Sequence, residues 1–61
     1  MKLVITGAGG LVGGSLARLF ARRGDEVLAL SHADLDVTDG AAVGRLIESE
    51  RPDVVVNCAV L

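Results

Sequence analysis

The alternation of apolar and polar positions divides the chain into five segments with different periods. Leu3, Val4 and Ile5 form a short apolar run that stops at Gly7; it is too short for a helix and predicts a buried strand over Lys2 to Thr6. From Leu11 the period changes. Val12, Leu16, Leu19 and Phe20 fall at i, i+4, i+7 and i+8, the apolar stripe of a helix, while Arg18, Arg22 and Arg23 lie off the stripe, toward the end where cations suit the helix dipole. Gly24 reads as the stop. Glu26 to Leu30 is a second apolar run, and the polar stretch from Ser31 to Asp39 reads as a loop with Asp39 as the cap of a second helix. Val43, Leu46, Ile47 and Glu50 mark that helix, Pro52 signals its end, and Val54, Val55 and Val56 form a third strand leading to Asn57 and Cys58.

Strand, helix, strand, helix, strand with short connections predicts an α/β fold with a parallel sheet and right-handed crossovers. The architecture expected is a three-layer, Rossmann-type sheet of which residues 1–61 supply the first βαβαβ half, three parallel strands and two helices, with no second domain. Leu3 and Ile5 point to one side of the first strand and Val4 to the other, and Val27 and Ala29 alternate with Leu28 and Leu30 in the second, as in a sheet covered on both faces. Two consecutive right-handed crossovers are expected to place both helices on one face, leaving the other bare. The first strand, central in the doubly wound order, is expected to lack its partner on one side, a fourth strand outside these residues. An open edge and an uncovered apolar face would make the chain self-associating, so the sequence reads as the fragment of a larger domain.

Thr6-Gly7-Ala8-Gly9-Gly10-Leu11-Val12-Gly13 carries the candidate chemistry, because it joins a strand to the first turn of a helix. Amides at such a helix start, here around Leu11, Val12 and Gly13, lack internal partners and face the positive end of the dipole, so they form an anion site. Glycines supply positive φ and let a pyrophosphate approach the main chain. The spacing excludes two common loops. A G-x-G-x-x-G from Gly7 would need glycine where Val12 stands, and a P-loop from Gly9 would need lysine where Ser15 stands. Gly7, Gly10 and Gly13 instead give G-x-x-G-x-x-G; a tight structural turn is the competing reading, and the flanking strand and amphipathic helix weigh against it.

Composition narrows the partners. With one Phe and no Trp or Tyr, the core must be built from Val, Leu, Ile and Ala. A net charge of -2 supplies no basic excess, which argues against a nucleic-acid or anionic-membrane partner. Neither a signal-peptide core nor a run of about 18 apolar residues is present, and the lone Cys58 suits a reducing compartment, so the expected location is the cytoplasm. One His and one Cys cannot complete a metal site.

The sequence resembles the extended short-chain dehydrogenase/reductase superfamily, and within it the dTDP-4-dehydrorhamnose reductase family of sugar-nucleotide reductases. Three motifs in order carry the likeness: MKLVITGAGGLVG, DLDVTD and RPDVVVNCA. The chain departs from that family at Leu11, where Gln is common, and at Val60 and Leu61, where an Ala-rich stretch with an aromatic or His is usual. The resemblance implies that residues 1–61 are a partial NAD(P)-binding Rossmann domain of an NAD(P)H-dependent reductase acting on a nucleotide-activated keto sugar. It further implies that Asp36 and Val37 line an adenine pocket, and that Asn57-Cys58-Ala59 is the small-residue element where Ala59 lets the backbone pass close to the ribose. Asn57 reads more readily as a tie between the strand end and a neighbouring turn, and Cys58 as a buried apolar thiol rather than a catalytic nucleophile.

NAD-binding relatives place an acidic residue at the end of the second strand, about twenty residues past the glycines, to bind the ribose hydroxyls. Here Ser31 and His32 occupy that place. A hydroxyl and an imidazole that could donate, with no carboxylate to repel a 2′-phosphate, favour NADP over NAD; a solvated loop histidine is the plainer reading of His32. Arg22 and Arg23 read as a solvent face, and Asp34 as exposed loop. The superfamily's Tyr-x-x-x-Lys pair has no counterpart: the chain contains no tyrosine, and its one lysine is Lys2. No catalytic residue is therefore assigned. Two other readings remain at this point, a non-catalytic regulatory or nucleotide-binding module of the same fold, and a stand-alone small nucleotide-binding unit.

Overall fold

The computed structural model describes residues 1–59; the departure at Val60 and Leu61 lies outside the described residues. The elements are β1 (Lys2–Thr6), α1 (Leu11–Arg22), β2 (Glu26–Leu30), α2 (Gly40–Glu50) and β3 (Val54–Asn57). All three strands are parallel. Lys2 faces Glu26 and Thr6 faces Leu30 across one side of β1, and Leu3 faces Val54 and Thr6 faces Asn57 across the other. The α/β, βαβαβ reading of the sequence therefore holds.

The strand order, β2-β1-β3, corrects two expectations. β1 already has a partner on both sides, so it is not waiting for a further strand. The first crossover runs from β1 outward to β2, and the second runs back past β1 to β3. Right-handed connections that travel in opposite directions put their helices on opposite faces of the sheet, so the same-face arrangement, and the bare face it implied, is overturned. Burial agrees. Leu3, Val4 and Ile5 are each at most 1% exposed although they point alternately to the two faces. With Leu35 they make up the buried hydrophobic core, while β2 and β3 remain partly open to solvent.

The buried face of α1 also differs from the stripe read from sequence. Gly13 is buried and Leu16, Ala17 and Phe20 are half-buried, giving positions i, i+3, i+4 and i+7. Val12 and Leu19 point outward, 65% and 51% exposed. The reason is steric: a Cβ on Gly13 would overlap the Gly7 carbonyl, so this position must face the loop, and it fixes the rotation of the whole helix. The helix ends as expected, with Gly24 at φ +87°, and the Arg23 guanidinium lies 5.5 Å above the Phe20 ring.

At the start of α2 the Asp39 carboxylate accepts from the Ala42 N–H at 3.1 Å, the cap expected of it. The helix ends at Arg51, whose N–H donates to the Ile47 carbonyl at 2.9 Å while its φ is +48°, a left-handed conformation that costs an L-residue energy before Pro52 redirects the chain. At this same end of the sheet the Lys2 ammonium bridges Glu50 at 3.1 Å and Glu26 at 3.5 Å. The hydrogen bond to Glu50 raises the Lys2 pKa. This contribution to stability is therefore complete at neutral pH and lost only as alkaline pH passes the raised value. No helix among the described residues is long and apolar enough to cross a membrane.

Two outcomes are expected in denaturant unfolding of the intact protein. Arg51→Gly removes the left-handed strain and should raise stability by about 0.5–1 kcal/mol. Asp39→Ala leaves the start of α2 uncapped and should lower stability by about 1 kcal/mol.

Candidate functional site

Three backbone segments meet beyond the carboxyl ends of β1 and β3. The chain leaves β1 at Thr6, whose hydroxyl donates to Asn57 Oδ1 at 2.7 Å; the same oxygen accepts from the Ala59 N–H at 3.1 Å. Cys58 N–H donates to the Thr6 carbonyl at 3.1 Å. Asn57 is thus the tie between strand ends that its sequence position suggested, and its side-chain oxygen is fully engaged. Gly7 then turns at φ +68°, and a Cβ there would lie 2.5 Å from the Ala59 nitrogen and the Cys58 carbonyl carbon. Both the dihedral and the space require glycine.

The loop closes through the Gly10 N–H to the Gly7 carbonyl at 3.1 Å, and the first helical bond runs from the Gly14 N–H to the Gly10 carbonyl at 3.0 Å. Gly10 is the N-cap and carries no side-chain cap. The amides of Leu11, Val12 and Gly13 therefore have no partner among the described residues. Such amides, with the dipole behind them, suit a phosphate. The side chains of Leu11 and Val12 point away, 86% and 65% exposed, so these two residues offer backbone alone.

Beside this loop lies a cavity of about 520 Å³ lined by Gly7, Gly9, Gly10, His32, Val37, Cys58 and Ala59. The volume is within the range of small-molecule sites. Of the residues singled out in the sequence, Gly7, Gly10, His32, Val37 and Ala59 line it. Gly13 sits behind the loop as a spacer rather than a lining residue. Gly10 differs sterically from Gly7 and Gly13: a Cβ there would meet only the Gly7 carbonyl oxygen, at 3.4 Å, so the chain has room for a side chain on the wall of the cavity. Gly9 and Cys58 also line the cavity; each lay within a segment read from the sequence, the glycine loop and Asn57-Cys58-Ala59, without being singled out as a site residue. Cys58 is half-buried rather than the fully buried thiol that its sequence suggested.

Ser31 and Asp36 stand beside the cavity without lining it. Asp36 Oδ1 accepts from the Thr38 hydroxyl at 2.6 Å and the Thr38 N–H at 2.9 Å, and these bonds hold its carboxyl below the usual range. Its role is thus to shape the turn that presents Val37. The Ser31 N–H and hydroxyl both donate to Asp34 Oδ2, at 2.9 and 3.0 Å, which lowers the Asp34 pKa in turn. Asp34 is exposed as expected, but it is not an idle loop residue, and the Ser31 hydroxyl is not a free donor.

Comparison with known proteins agrees with this arrangement. The family described as the RmlD substrate binding domain matches residues 1–61. The dTDP-4-dehydrorhamnose reductase of Streptomyces griseus is 52% identical over 58 residues, 95% of this chain and 19% of that protein. A probable dTDP-4,6-dihydroxy-2-methyloxan-3-one 4-ketoreductase of Streptomyces antibioticus is 46% identical over 59 residues, covering 97% of this chain and 20% of that protein. The GDP-L-fucose synthase of Azorhizobium caulinodans is 45% identical over 58 residues, 95% of this chain and 19% of its own length. The chain spans about a fifth of the length of the curated relatives it matches. On the family match over its full length, supported by these identities, the chain belongs to the RmlD substrate-binding-domain family.

Proposed function

We propose that residues 1–61 form the cofactor-binding part of a cytoplasmic, NAD(P)H-dependent reductase that acts on the keto group of a nucleotide-activated sugar, as the names of the relatives suggest. The observation that carries the cofactor assignment is the position of the glycine loop. In a sheet ordered β2-β1-β3, the crossovers diverge at β1, and ligands of open α/β sheets bind in the crevice beyond the carboxyl ends of the strands at such a switch point. The cavity and the three unpartnered amides lie there.

The residues present fit a dinucleotide. Amides of Leu11, Val12 and Gly13 would receive a pyrophosphate, with Gly7 and Gly10 leaving the approach clear. Val37, between the Asp36 turn and the cavity, offers an apolar wall for adenine, and Ala59 a small one for a ribose. His32, on the same wall, is the side chain with hydrogen-bonding nitrogens. When bound, the reduced nicotinamide supplies the hydride, and the chain's own part is to hold and orient it.

Gly10→Ala separates ligand binding from folding, because the chain itself accommodates the methyl group at a position that lines the cavity. In the intact protein this variant should keep its melting temperature and bind NADH and NADPH at least about tenfold more weakly by calorimetric titration, a loss near 1.4 kcal/mol. Unchanged affinity would remove the loop from the site. Wild-type protein should consume NAD(P)H when given a dTDP-linked 4-keto sugar; binding without turnover would instead indicate a non-catalytic module of the same fold.

A further inference from the structure

The loop from Ser31 to Asp39 supplies one wall of the cavity through His32 and Val37. It is neither helix nor strand, so its shape comes from its own bonds. Val37, half-buried, is the bulkiest aliphatic residue of a lining otherwise made of glycines, His32, Cys58 and Ala59. The position of this one side chain therefore decides how closely the wall can follow an apolar ring.

Val37 occupies the first of the two central positions of a tight turn that the Asp39 N–H closes by donating to the Asp36 carbonyl at 3.0 Å. Leu35, buried, anchors the chain just before this turn, and Asp39, as the cap of α2, anchors it just after. Between the two anchors a single side-chain pair restrains the tilt of the peptides. The Thr38 hydroxyl donates to Asp36 Oδ1 at 2.6 Å, and the same oxygen accepts from the Thr38 N–H at 2.9 Å. Hydrogen bonds to a charged acceptor are the strong ones, and Asp36, its pKa lowered by these bonds, is charged throughout the neutral range. Thr38 itself does not line the cavity.

We propose that Thr38 is a positioning residue for the dinucleotide: by holding the Asp36 carboxylate across the turn, its hydroxyl keeps Val37 set on the cavity wall where the base of the cofactor would lie. The inference rests on the cofactor reading above. A wall that is already ordered loses no further freedom when the ligand binds, so Thr38 raises affinity without adding a contact of its own. Val37 is apolar and reads a ring, not a phosphate. The effect is therefore the same for NADH and NADPH.

The test is calorimetric titration of the intact protein with both cofactors, for the wild type, Thr38→Val, Thr38→Ser, Val37→Ala and the double variant Val37→Ala, Thr38→Val. Valine keeps the shape of threonine and deletes the hydroxyl, whereas serine keeps the hydroxyl. Thr38→Val should weaken NADH and NADPH alike by about threefold, and Thr38→Ser should bind as the wild type does. In the Val37→Ala background, Thr38→Val should have no further effect, because the side chain it positions is gone. The melting temperature of Thr38→Val should stay near that of the wild type, since Leu35 and Asp39 still hold the loop. If both cofactors bind but Thr38→Val costs nothing, or costs as much with Val37→Ala as without it, the role of Thr38 is overturned and the cofactor site stands. If wild-type protein binds neither, the cofactor reading falls and this inference with it.

Discussion

The structure depends on a place where three main chains approach too closely for any side chain. Gly7 is pressed against the Cys58–Ala59 peptide on one side and against Gly13 on the other. This contact joins the end of β1, the start of α1 and the end of β3. It sets the rotation of α1, because only glycine can occupy the position of closest approach, and it leaves the first-turn amides facing outward. The outward-facing amides are thus a by-product of a packing constraint: the backbone that must be bare for the elements to meet is also bare toward the cavity.

Element identity was legible because it is local. Run length separated β1 and β2 from the helices, glycine and proline marked the stops, and Asp39 sat where a cap belongs. Strand order was not local. The first crossover moves the chain to one side of β1, and nothing in the composition of α2 states whether the second continues outward or returns. The contacts that decide it join residues far apart in sequence: Asp53 to Lys2 through paired main-chain and carboxylate bonds of 2.8 and 2.7 Å, and Asn57 to Thr6. The error had a consequence for function, since only the returning path creates a switch point at the glycine loop.

The α1 stripe failed for a related reason. Hydrophobicity assigned the inward face to Val12 and Leu19, but Gly13, which has no hydrophobicity to count, decides the rotation. In the site, Gly7 and Gly10 could be read from motif spacing and His32 from its place after β2, whereas Val37 and Ala59 were implied by the family resemblance alone. The Ser31 to Asp34 bonds could not be read, because an aspartate three residues from a serine is equally compatible with open solvent.

These two kinds of legibility correspond to two kinds of constraint. The glycine loop is made of backbone and is bound into the core: it continues from Leu3, Val4 and Ile5, and replacing Gly7 or Gly13 disturbs the packing of three elements at once. The segment from Ser31 to Thr38 is held instead by short-range polar bonds among Ser31, Asp34, Asp36 and Thr38, with Leu35 as its buried anchor. Its exposed side chains can change while Leu35 keeps the loop in place. The two segments that border the cavity are consequently separable in this fold. Gly7 and Gly13 cannot vary without cost to the structure, whereas the exposed side chains of the second segment can.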